Sequence, residues 1–202
     1  MVLHLVQPAR HFERNPVEAA PWSLERIQGQ VVEVSGQGSF APISSGLWLL
    51  RHLQEAGEPV AWVGCSSLRP FVPDLLPWQL DLDAMAFLFP PRREQLGRAA
   101  DVLLASGAFG GVLLDLGRQG LPLPLLTRLA ARCARHESCL IVLSEKPDDS
   151  PSVGVGISWR SGVHRERIGP NVFVLRWQGL KDRQGPARWA WHQSCRGVPG
   201  CP

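Results

Sequence analysis

The chain has 202 residues, 45% of them apolar and 19% charged, with a net charge of +3. That composition fits one globular domain with a real core, excludes a disordered chain, and is too weakly basic overall to mark a nucleic-acid-binding protein. Five cysteines form no C-x-x-C pair and six scattered histidines stand at no ligand spacing near them, which predicts no metal site and reduced, intracellular thiols.

Residues 1–24 carry Pro8, Pro16 and Pro21 and little periodicity. They read as an arm, with Leu3, Leu5, Val6 and Phe12 as its apolar anchors. The first fifteen residues have neither a basic lead nor an apolar run long enough for a secretion signal, and no run approaches a membrane span. "GQVVEVSG" then reads as a buried strand. "SSGLWLLRHLQEAGEP" reads as a helix with apolar positions at 47, 50 and 53. "VAWVG" (60–64) is the next strand, and residues 67–80, with Pro70, Pro73 and Pro77, an irregular connection. "AMAFLF" (84–89) is a short strand and "REQLGRAADVLLASG" (93–107) a helix closed by Gly107. "GGVLLDLG" (110–117) is an apolar strand with Asp115 near its C-terminal end. "LLTRLAARCARHE" is a helix and "CLIVLSE" a strand.

From 153 the pattern changes. "VGVGISWRS", "NVFVLRWQG" and "ARWAWHQS" alternate between Gly-rich turns and read as antiparallel strands. Strands alternating with helices imply right-handed βαβ units and a parallel sheet, here with an antiparallel edge. The tryptophans on these strands read as core or sheet-surface packing. Positive charge collects here too: Arg160, Arg165, Arg167, Arg176, Lys181, Arg183 and Arg188 face few acids. They form either a solvated face or a surface for DNA or an acidic partner.

The loop after the first strand raises a specific question. A phosphate-binding loop reads G-x-x-x-x-G-K-[ST] between a strand and a helix. From Gly36 this chain reads Gly36-Gln37-Gly38-Ser39-Phe40-Ala41-Pro42-Ile43. Ala41 stands at the second glycine, Pro42 at the lysine and Ile43 at the hydroxyl residue. Pro42 supplies neither charge nor backbone N–H, and Ile43 cannot ligate Mg²⁺. No lysine precedes Lys146, so no shift of register restores the loop. Gly36 and Gly38 then serve a tight strand-to-helix turn, with Pro42 suited to the first helical turn. Asp115 has a plain role open to it as well, capping nearby backbone amides.

The order of pieces resembles the ATPase core of RecA over roughly residues 22–193. "PWSLERIQGQVVEVSG" is similar to its lead-in and first strand, and "LFPPRREQLGRAADVLLASGAFGGVLLDL" to its strand, helix and Walker B segment. "RLAARCARHESCLIVLSE" and the closing "NVFVLRWQGLKDRQGPARWAWHQ" continue the match. The resemblance implies an α/β fold with a RecA-like, mainly parallel central sheet, flanking helices and an antiparallel C-terminal edge. It divides the chain into an arm (1–24), a RecA-like core without a functional Walker A (25–195) and a tail (196–202). Asp115 falls at the Walker B place. Where RecA-type proteins carry a water-activating acid, Gly64-Cys65-Ser66 has none. The segments at the DNA-contacting loops, "GRQGLPLP" and "KPDDSPS", are short.

Degenerate RecA-like chains of this plan include the ImuA-type mutagenesis accessory proteins, which this sequence resembles through "GQVVEVSG", "VAWVG", "VLLASGAFGGVLLDLG" and "GPARWAWH". The resemblance implies a cytoplasmic, non-enzymatic protein without cofactor. It would act in SOS-linked, DNA-damage-induced mutagenesis by binding RecA, an ImuB-type Y-family-like protein with its error-prone polymerase, or both. DNA binding would be weak and non-specific, with no membrane contact. The alternative is a SulA-type inhibitor of cell division acting on FtsZ.

Overall fold

The apolar runs become the middle of one sheet, because each needs cover on both faces. The computed structural model describes residues 22–38, 41–65, 69–185 and 188–196. The tail beyond 196 and nearly all of the arm lie outside the described residues. Chain order is α1 (Leu24–Ile27), β1 (Val31–Gly36), α2 (Ala41–Glu55), β2 (Val60–Val63), α3 (Val72–Leu75), β3 (Met85–Leu88), α4 (Leu96–Ser106), β4 (Gly111–Gly117), α5 (Leu123–His136), β5 (Cys139–Glu145), β6 (Trp159–Gly169), β7 (Val172–Asp182) and β8 (Ala190–Arg196). The eight strands form one mixed sheet in the order β3-β2-β4-β5-β1-β6-β7-β8. The fold is α/β. The sheet is parallel from β3 to β6 and antiparallel from β6 to β8.

Alternation along β1 splits the core in two. Val32 and Val34 pack with Leu47, Leu50 and Leu53 of α2. Val31 faces the other way, toward Leu96 and Ala100 of α4 and Leu126 and Leu129 of α5. The second layer covers only part of its face: α4 packs on β2 and β4, and α5 on β5 and β1. Helix ends follow local chemistry. Ser23 caps α1 by accepting the Arg26 amide, and α4 stops at Gly107, whose φ of 68° is left-handed.

Three expectations change. Helix α2 begins at Ala41, three residues before "SSGLWLL"; Pro42 stands in its first turn, as expected. The proline-rich connection contains α3 and a 3₁₀ turn, Leu76–Trp78, each with a proline at its start. The closing strands need the larger correction. Residues 153–158 are not strand, and β6 runs from Trp159 parallel to β1. The Val-Gly alternation of "VGVG" imitates a strand, but its glycines give room to Leu126 of α5, where a Cβ at Gly154 or Gly156 would press. The antiparallel edge therefore starts with β7.

Candidate functional site

β1 sits between β5 and β6, and the crevice at the carboxyl end of such a strand is where open α/β sheets bind ligands. Here β1 ends at Gly36 and α2 begins at Ala41. Pro42 is buried in the first turn of α2. A Cβ built on Gly36 would stand 2.7 Å from the Val163 carbonyl oxygen and 3.1 Å and 3.2 Å from Pro42 Cγ and Cδ. The glycine is thus required by close approach of the proline ring and of strand β6. Beside the Gly36 Cα, then, stand hydrocarbon and a carbonyl acceptor. Ala41 is fully buried, and Ile43 packs half-buried against the α2 side of the core. Gly38 has φ of 65° and open space beside it, which suits the turn. Gly64 and Cys65 follow β2 with no acid between them and the described boundary; Ser66 lies outside the described residues.

Asp115 pairs in register with Leu143, and Leu143 with Val34. It therefore lies two strands from β1, about 10 Å away, on the side that α2 covers. Its carboxylate accepts the Gly117 amide at 3.1 Å across the bulge that ends β4. Burial raises its pKa above the usual carboxylate value; the Gly117 bond and the charge of Arg93 oppose that rise, and Glu145 adds to it. The geometry is that of a strand-end cap.

The chemistry-bearing cluster lies on the opposite face of β1, and sequence reasoning missed it. Glu33 is fully buried. Its Oε1 is 2.6 Å from Lys146 Nζ, 3.8 Å from Arg160 Nε, and accepts the Ser144 hydroxyl at 2.7 Å. Its Oε2 accepts the Val153 amide at 3.0 Å. Arg160 donates to Ser35 Oγ at 3.1 Å, to the Pro147 carbonyl at 3.0 Å and to the Ser150 carbonyl, while Lys146 reaches the Pro151 carbonyl at 2.6 Å. Two side chains of the sheet thereby fasten the β5–β6 connection, residues 146–153, onto β1 and β6. Burial lowers the Lys146 pKa, Glu33 offsets part of that, and Arg160 adds to the lowering. The available signal was a lone carboxylate inside an apolar run: a buried strand tolerates one only if it is paired.

Arg160 consequently leaves the expected basic surface; it is 3% exposed and serves the interior. The others divide between two faces. Arg165 pairs in register with the buried Leu175 and Arg167 with Phe173, on the side toward α2. The Arg165 guanidinium carbon lies 3.7 Å from the Phe173 ring centroid. Arg176 points to the opposite side, bonded to Glu166 at 2.7 Å. Lys181 is half-buried opposite Arg160, its pKa lowered by burial and by Arg183, partly opposed by Glu33. Arg183 donates to the Val155 carbonyl, and Arg188 is exposed just before β8. They form no single patch.

The tryptophans are interior. Trp62, Trp159 and Trp177 are buried, while Trp189 and Trp191 are half-buried against the same core. Trp48 of α2 meets Trp22, Trp191 and Trp177 at centroid distances of 4.5, 5.0 and 5.7 Å. Among the described residues no three His, Cys, Asp or Glu side chains gather as a metal site, and no helix is long and apolar enough to cross a membrane. No protein-family model matches this chain, and no curated protein matches it.

Proposed function

We propose that this chain is a non-catalytic RecA-like protein acting in DNA-damage-induced mutagenesis, and that it works by binding RecA, an ImuB-type partner, or both. The observation that carries the reading is the turn after β1, where Pro42 stands at the lysine position of a phosphate-binding loop and closes, with the Val163 carbonyl, on Gly36. The sheet around it supports the same reading: Asp115 stands two strands from β1, and the chain closes on antiparallel strands. A fold of this kind that lacks its nucleotide still has a sheet and helices with which to dock a related subunit. A subunit without nucleotide offers one competent face and one incompetent one, so it caps or interrupts a filament whose packing depends on ATP.

The test has two parts. Calorimetry with millimolar Mg-ATP is expected to give no saturable heat; a saturable heat lost on Asp115→Ala would return the chain to the nucleotide-binding class. RecA-driven ATP hydrolysis on single-stranded DNA, titrated with this protein, is expected to fall. No effect at several-fold excess, with no complex on a sizing column, removes RecA as a partner and leaves the ImuB-type one. Filamentous cells on overproduction, with unchanged induced mutation on deletion, favour the SulA-type reading instead.

A further inference from the structure

The outer side of β6–β8 is a second, separate feature. Helices α4 and α5 cover β2, β4, β5 and β1 on that side of the sheet. Register fixes what the antiparallel strands show there. His164, Arg176 and His192 stand directly opposite one another across β6, β7 and β8, and all three are exposed. On β8 the exposed positions are Ala190, His192, Ser194 and Arg196, while Trp191, Gln193 and Cys195 turn inward. The extended chain continues back through Trp189, whose carbonyl accepts the Gly179 amide and whose ring stacks on Trp159 in the core. Arg188 therefore falls on the same outer side as His192 and Arg196.

The charges on this side are not evenly matched. Both acids are on the β6 side: Asp148 lies 3.0 Å from His164, and Glu166 pairs with Arg176. Along β8, Arg188, His192 and Arg196 have no acid partner among the described residues. They lie about 14 Å apart in one line, four residues at about 3.4 Å each. Charges on an exposed edge strand also discourage edge-to-edge pairing, but that purpose needs neither one sign only nor one face only.

We propose that this face, built on Arg188, His192 and Arg196 of the β8 edge with Arg176 behind them, is a docking surface for the phosphate backbone of nucleic acid. A phosphate backbone matches a line of separated donors that carries the fork-shaped guanidiniums of Arg188 and Arg196. An acidic peptide also brings apolar anchors to a pocket, and the outward positions between these donors are Ala190 and Ser194. No aromatic ring faces outward on β8, so recognition is of backbone and not of base. The inference is independent of the partner reading above, since it needs neither RecA nor an ImuB-type protein.

The experiment is fluorescence anisotropy of the full chain with a labelled single strand and with the matching duplex, which separates the two sources of phosphate. The two arginines without an acid partner, Arg188 and Arg196, predict about a sevenfold loss of affinity for a single strand from about 50 to about 200 mM salt. Arg188→Glu with Arg196→Glu is expected to weaken binding at least about tenfold, and Arg165→Glu with Arg167→Glu less than about twofold, since those side chains face the other way. The neutral pair Arg188→Gln with Arg196→Gln is measured alongside, so that a folding defect from reversed charge cannot imitate the result. Equal loss from both pairs, unchanged affinity in the neutral pair, or equal displacement of DNA by polyglutamate would overturn the assignment.

Discussion

Two places on β1 handle charge in opposite ways. At its C-terminal end Gly36 meets the Pro42 ring and a carbonyl oxygen. In its middle, on the other face, Glu33 holds Lys146 and Arg160 inside the protein. A buried charge is costly unless its partners are complete. In the Glu33 cluster such charges fasten a backbone segment. Lys146 is also the first lysine in the sequence, and it serves this internal cluster.

The comparison breaks most easily at Glu33. Glu33→Ala leaves Lys146 and Arg160 without their common anion, and is expected to cost about 3–5 kcal/mol in urea denaturation. Arg160→Met is expected to cost a similar amount, because Glu33 loses a neighbouring charge and Ser35 and the Pro147 and Ser150 carbonyls lose a donor. The double substitution Glu33→Met with Arg160→Met is expected to cost less than the sum of the singles, since neither charge is then left alone. In hydrogen exchange, Glu33→Ala should expose the Val153 amide well before those of β4. Full additivity and unchanged Val153 protection would show that the cluster does not fasten residues 146–153.

Gly36 tests the other place. Gly36→Ala puts a methyl group 2.7 Å from the Val163 carbonyl, a backbone atom of the neighbouring strand, and is expected to cost about 1–3 kcal/mol. A neutral result would mean that the crevice is roomier than the Pro42 packing implies, and would reopen it to a ligand.

The smallest expected effect sharpens the comparison at Asp115. Its pKa in the folded protein is raised by burial, so the folded state binds a proton more readily than the unfolded one. Asp115 therefore takes stability away as pH rises from the ordinary carboxylate value of 3.8 through its raised folded value. Asp115→Asn keeps an oxygen to accept the Gly117 amide. It should be slightly more stable than the parent at neutral pH, with the gain shrinking as the pH falls through that window. A loss of stability at neutral pH would mean that the ionised carboxylate is being used.

Much of the fold was legible because it rests on local pattern. Apolar runs such as Val112–Leu114 and Leu140–Leu143 could be satisfied only as covered strands, and the helices between them required parallel pairing. The chemistry of Pro42 was equally legible, since it has no N–H and no charge in any fold. Other features depended on neighbours distant in sequence. Glu33 finds its anchors more than a hundred positions later, in Lys146, Val153 and Arg160. Arg160 looked like one more basic residue of the C-terminal stretch until register set it beside β1. The Val-Gly alternation at 153–156 imitated a strand because sequence does not show Leu126 standing over those glycines. Composition determined how much positive charge the C-terminal strands carry. Only tertiary structure decided which of it is buried, which faces α2 and which lies open along β8, because a strand's two faces differ solely by what packs against each.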